Sequence, residues 1–191
     1  ARNDDCQGLG NTILDWAFAN KPASLEALLA LAMSDGRPVQ DHLTDAMGRI
    51  GEKIAVRNYA HLTGDYVGSY IHPGARVGVL IAFEGGDASG ISRDVAMQIA
   101  AMAPVAIDKD GVDSQTIERE IEIGKDQARQ EGKPEAMLEK IAAGKLNKFF
   151  KENTLLNQDF VKDPSKNVAT FIKDHNPNLK VKAFSRMQLG A

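Results

Sequence analysis

Apolar positions recur with a helical period through the first fifty residues. Between Asp4 and Asn20, Leu9, Ile13, Leu14, Trp16 and Phe18 come close to that spacing, and Pro22 ends the run. Ser24 has the chemistry of an N-cap for a short helix over Leu25 to Ala32. Ser34-Asp35-Gly36 reads as a turn. Pro38 suits the first turn of a further helix, whose buried stripe is Val39, Leu43, Met47 and Ile50. After Gly51 the period changes to two. Ile54, Val56, Ala60 and Leu62 predict one face of a strand, Tyr66 to Ile71 a second strand, and Val77, Val79, Ile81 and Phe83 a third. The turns at Gly64-Asp65 and Pro73-Gly74 are short, so the three must run antiparallel as a meander.

Gly85-Gly86-Asp87-Ala88-Ser89-Gly90 is a flexible link and a candidate subdomain boundary. Beyond it, Ile91 to Met102 predicts an apolar helix stopped at Pro104. Ile117, Ile121, Gly124 and Ala128 form one stripe, and Leu138, Ile141, Ala142, Leu146 and Phe149 form a matching one. The tight break Gly132-Lys133-Pro134 lies between them, so residues 115–150 predict an antiparallel helical hairpin. Val168 to Lys173 reads as a short helix. Lys180 to Leu189 reads as a last strand, with Val181, Ala183 and Met187 on one face. Helices followed by strands, twice over, predict an α+β fold of two related subdomains, 1–88 and 89–191, with the hairpin inserted in the second. The halves show no convincing sequence identity to each other.

Composition narrows the function classes. With 191 residues and 43% hydrophobic content the chain can bury a sizeable core. Lys and Arg number 23 against 26 Asp and Glu, a net charge of −3 spread along the chain, which disfavours nucleic acid as the main partner. Cys6 is the sole cysteine, so no intrachain disulfide forms, which suits a reducing cytoplasmic compartment. No apolar run approaches the ~20 residues of a membrane span.

Candidate chemistry is sparse. No phosphate loop, dinucleotide fingerprint, CxxC or HExxH motif is present, so neither a cofactor nor a metal is expected. Glu118, Glu120 and Glu122 flank an apolar stripe and read as a solvated helix face. Cys6, Trp16, Met97 and Met102 read as packing residues. The four histidines, His42, His61, His72 and His175, stand singly. His72 lies in Tyr70-Ile-His-Pro-Gly-Ala-Arg-Val-Gly-Val-Leu80, at a turn between two apolar strands, with no local base, acid or second ligand. No catalytic residue is expected, and an exposed turn histidine is the default reading.

Several segments together resemble bacterial elongation factor Ts, the guanine-nucleotide exchange factor of elongation factor Tu. They are Ile50-Gly51-Glu52-Lys53-Ile54, Gly68-Ser69-Tyr70-Ile71-His72 leading into Gly74-Ala75-Arg76-Val77-Gly78-Val79-Leu80, and Asp94-Val95-Ala96-Met97-Gln98-Ile99-Ala100-Ala101-Met102. Gln130-Glu131-Gly132-Lys133-Pro134, the run Asn153 to Val161 and Asp163-Pro164-Ser165-Lys166 follow in order. The resemblance implies two α+β subdomains with a coiled-coil hairpin, and elongation factor Tu as partner. By that match His72, Ile50 and Gly51 become contacts to the partner GTPase, although Ile50 also completes a helix stripe. The family carries a Thr-Asp-Phe-Val-Ala-Lys/Arg-Asn exchange motif, of which Ala1, Arg2 and Asn3 resemble the tail. The preceding residues and the family's small N-terminal helical domain are not in this sequence, so reduced exchange activity is the expectation. Pro73 also departs from the family pattern beside the histidine. The rival expectation is a helical scaffold or dimerisation module, a homodimer built through the 115–150 hairpin with no nucleotide-linked function. A second rival, an enzyme with an unrecognised site, finds no candidate residue set.

Overall fold

A computed structural model describes residues 4–190. The chain is α+β and clusters into two compact units, one ending at His61 and one beginning at Leu62.

The first unit is helical. Helix α1 spans Asp4–Asn20, α2 Leu25–Ala30 and α3 Val39–Ile50. Ser24 caps α2 as its chemistry predicts, accepting from the Ala27 amide at 3.0 Å. The helix stops at Ala30, two residues early, because Leu31 is extended and Ala32 bridges to Pro38. The core of this unit is Ile13, Ala17, Leu28, Met33, Val39 and Leu43, with Trp16 packed against it and its indole donating to the Ala32 carbonyl at 2.7 Å. On α3 the buried positions are Val39, Leu43 and Ala46, while Met47 and Ile50 are half-buried.

The strand expected over Ile54 to Leu62 does not form; residues 53–63 are irregular. Ile54, Val56 and Tyr59 instead pack against the helical core of the first unit. An extended chain laid over helices also turns alternate side chains inward, so a period of two does not by itself imply a ladder.

In the second unit β1 (Tyr66–Ile71) and β2 (Val77–Glu84) form the predicted antiparallel pair. The third strand of this sheet is β5 (Lys180–Gln188), giving the order β1-β2-β5. The Val181, Ala183 and Met187 face expected for β5 is broken by a register shift opposite Ala82 and Phe83. Val181 and Phe184 therefore pack on the core, whereas Ala183 pairs with Ala82 and Met187 with Gly78. Arg186 sends two nitrogens to the Ala100 carbonyl at 3.2 Å, closing the end of helix α4 (Ser92–Met102), which lies across the sheet. Tyr70, Val79, Ile81, Phe83, Val95 and Ile99 lie at the centre of this core.

Helices α5 (Ser114–Gln130) and α6 (Leu138–Asn153) form the expected hairpin, broken at Gly132-Lys133-Pro134. Its seam uses small residues. Gly124, Ala128 and Ala142 are buried, and a Cβ on Gly124 would lie 3.2 Å from the Ala142 Cα. Ion pairs cross the seam, Lys125 to Glu139 at 2.7 Å and Arg129 to Glu135 at 3.3 Å. The Glu139 carboxylate, and beside it Glu122, hold the Lys125 ammonium above its ordinary range. Two short strands missed by periodicity, β3 (Asp159–Phe160) and β4 (Asp163–Asn167), form a ribbon before α7 (Val168–His175).

The hairpin leaves and re-enters the unit at one place. Val105 donates to Asn153 at 2.8 Å, and Leu155 and Leu156 donate to Ala106 and Ile107 at 2.9 Å. Replacing residues 114–150 by a short Gly/Ser linker is therefore expected to leave a cooperatively folding remainder, because the flanking chains are already paired. Loss of the cooperative thermal transition by circular dichroism would show that the hairpin is integral to the core.

Candidate functional site

The candidate docking residues are held by local backbone chemistry. Ile50 ends α3, and Gly51 closes it in a left-handed conformation, φ 75°, donating to the Met47 carbonyl at 2.9 Å. Gly51 is exposed and Ile50 half-buried. Both belong to the first unit and His72 to the second. Ala1, Arg2 and Asn3 lie outside the described residues.

His72 follows the last residue of β1, an edge strand. Its amide donates to the Val77 carbonyl and its carbonyl accepts from Ala75, each at 2.9 Å. Pro73 and Gly74 fill the corner, and Gly74 has φ 92°, the signature of a type II turn. Leu189 donates to the Arg76 carbonyl at 2.8 Å, tying the end of β5 to the same turn. The histidine is thus exposed on a turn whose backbone is fixed at both ends, and it stands clear of the Val79 and Ile81 core.

Its one described side-chain hydrogen bond is to Tyr70. The Tyr70 hydroxyl lies 3.1 Å from His72 Nδ1, and the two rings meet edge to face at 5.9 Å. Arg93, in the first turn of α4, places its guanidinium 5.8 Å from the Tyr70 ring centroid. Periodicity marks Tyr70 only as a strand residue. The signal for the contact is the spacing: residues two apart on a strand share a face, so the buried Tyr70 and His72 are neighbours.

The Gly85 to Gly90 segment resolves into local packing. Asp87 accepts from the Ser89 amide at 2.9 Å and from its hydroxyl at 2.8 Å, and these bonds hold its carboxyl below the usual carboxylate range. A shallow groove of about 800 Å³ in the first unit is floored by Leu25, Leu29 and Pro38, with Glu26, Gln40 and Asp41 as its polar members. It contains no paired nucleophile and base. Among the described residues no cluster of three metal-ligating side chains occurs, and no helix is long and apolar enough to cross a membrane.

Gln98 is a second residue whose role the sequence concealed. It is fully buried on α4, and its amide nitrogen donates to Gln158 Oε1 at 3.1 Å and to the Asp159 carbonyl at 3.2 Å. Its oxygen accepts from the Val161 amide at 2.8 Å. The polar letter inside Asp94-Val-Ala-Met-Gln-Ile-Ala100 is a structural clamp.

Comparison with known proteins is consistent over the whole length. The pattern of the family described as elongation factor TS matches residues 1–191. An elongation factor Ts from Cytophaga hutchinsonii is 54% identical over 97% of this chain and 68% of its own length. One from Amoebophilus asiaticus is 47% identical over 100% of this chain and 70% of its own. One from Flavobacterium psychrophilum is 51% identical over 82% of this chain and 58% of its own.

Proposed function

The chain belongs to the elongation factor Ts family, and from that premise we propose that it binds elongation factor Tu and promotes release of its guanine nucleotide. The match of the family pattern over residues 1–191 carries this reading. In it the chain is cytoplasmic, makes or breaks no covalent bond in its partner and needs no cofactor. The division into subdomains 1–88 and 89–191 belongs to the same proposal, as do His72, Ile50 and Gly51 as contacts to the GTPase.

Exchange by binding follows from linkage. A factor that binds the empty partner more tightly than the nucleotide-bound partner must weaken nucleotide binding by the same ratio. A thousandfold ratio corresponds to about 4 kcal/mol of contact available only in the empty state. Exposed groups on fixed backbone suit this task, because little ordering cost is left at association. The exposed position of His72 and its closed turn support its place in such a contact.

The test is calorimetry with the nucleotide-free partner, with and without excess GDP. Tight binding that GDP weakens severely is expected; equal affinity in both conditions would remove the exchange reading. His72→Ala is expected to cost about 1–2 kcal/mol of binding and less than about 0.5 kcal/mol of stability. A large drop in melting temperature with intact binding would make His72 a structural residue instead.

A further inference from the structure

We propose that Tyr70 is the positioning residue of the docking site: its hydroxyl donates to Nδ1 of His72, so that the imidazole presents Nε2–H outward as the donor offered to the partner. The inference rests on the reading of His72 as a contact residue and adds the tautomer, the atom and the residue that sets both.

The geometry has three parts. Tyr70 is 7% exposed, pairs with Val79 on the central strand β2 and belongs to the core of the second unit, so its ring is held by the core. Arg93 covers that ring, 5.8 Å from its centroid. The ring's only polar end emerges at the rim of the sheet, where it meets His72 Nδ1 at 3.1 Å. A rigid phenol therefore clamps an exposed imidazole whose backbone is already closed by the turn.

The direction of the hydrogen bond follows from donor bookkeeping. A phenol has one proton to give, and His72 Nδ1 is its one described partner. If Nδ1 carried the proton instead, the phenolic proton would be left without a described acceptor. Donation from Tyr70 leaves the ring proton on Nε2, the nitrogen directed away from Tyr70. An exposed histidine without the clamp would sample several rotamers and both tautomers. It would lose that freedom on binding, which is worth about a three- to tenfold change in affinity.

Tyr70→Phe keeps the ring, its packing and the contact with Arg93, and removes only the hydroxyl. Two measurements on the full chain test it. In long-range nitrogen–proton NMR with the imidazole neutral, wild-type His72 is expected as the Nε2–H tautomer, shifting toward a mixture in Tyr70→Phe. In calorimetry with the nucleotide-free partner, Tyr70→Phe is expected to weaken binding about fivefold, and to add nothing in a His72→Ala background. An unchanged tautomer in Tyr70→Phe overturns the proposal. So does an equal loss of affinity in the His72→Ala background, because Tyr70 would then act by a route other than the histidine. If His72→Ala alone binds like wild type, the docking role of His72 fails, while the NMR measurement still decides whether Tyr70 sets its tautomer.

Discussion

Replacing Gln98 by Met is expected to cost about 2–4 kcal/mol of folding stability, although the two side chains have nearly the same shape. Gln98 is 0% exposed and makes three hydrogen bonds that join α4 to the segment after α6. Its partner Gln158 is 1% exposed and donates onward to the Glu152 carbonyl at 2.9 Å. Methionine fills the volume but leaves the Gln158 carbonyl oxygen and the Val161 amide without their partner. A buried group so orphaned costs more than the bond itself contributed, since water cannot reach it. The Val161 amide bond is only part-buried, so part of its loss is recovered from solvent, which sets the lower end of the range. Urea unfolding of the two proteins gives the difference directly. A change below about 0.5 kcal/mol, the scale of an indifferent surface substitution, would mean that the amide network contributes packing only.

Gly85→Ala is expected to be as damaging, by about 3 kcal/mol or more. Gly85 has φ 93°, and a Cβ there would sit 2.1 Å from the Asn178 carbonyl oxygen and 2.8 Å from its carbon. Both atoms are backbone, so no rotamer change relieves the overlap. The Gly85 amide also donates to Asp65 at 2.8 Å, which anchors it from the other side. Asn178 lies two residues before β5, whose pairing with β2 begins at Lys180 opposite Glu84. The clash is therefore delivered at the start of that ladder, and β5 amides should lose protection from hydrogen exchange first. Gly144→Ala serves as the contrast. Gly144 lies within α6 with nothing within 4 Å of its would-be Cβ, so alanine there should be neutral or stabilising by up to about 1 kcal/mol. If the two substitutions behaved alike, close backbone approach at Gly85 would not be what the residue is for.

The elements set by near neighbours are legible in the amino-acid sequence by itself. The start of α2 at Ser24, the break at Gly132-Lys133-Pro134 and the β1–β2 turn around Pro73-Gly74 each depend on residues a few positions apart. The hairpin is legible too, because two matching apolar stripes on either side of a short break can be buried only against each other. The exposure of His72 follows from the same turn chemistry.

What the tertiary structure alone decided depends on residues far apart in the chain. The segment Ile54 to Leu62 and the strand β5 both alternate, yet only β5 pairs in the sheet, along β2, while Ile54, Val56 and Tyr59 pack against helices and, among the described residues, the outer edge of β1 stays unpaired. The register shift that turns Val181 inward is likewise a property of the pair, not of β5. Gln98 reads as a polar interruption of an apolar helix until Gln158, Asp159 and Val161 are brought to it from some sixty positions away. Tyr70 and His72 are two residues apart, yet their contact needs the core to fix the ring and the turn to fix the imidazole. Periodicity records which side of an element is buried; it carries no information on what lies opposite, because a buried face costs and gains the same free energy against any partner of the right shape.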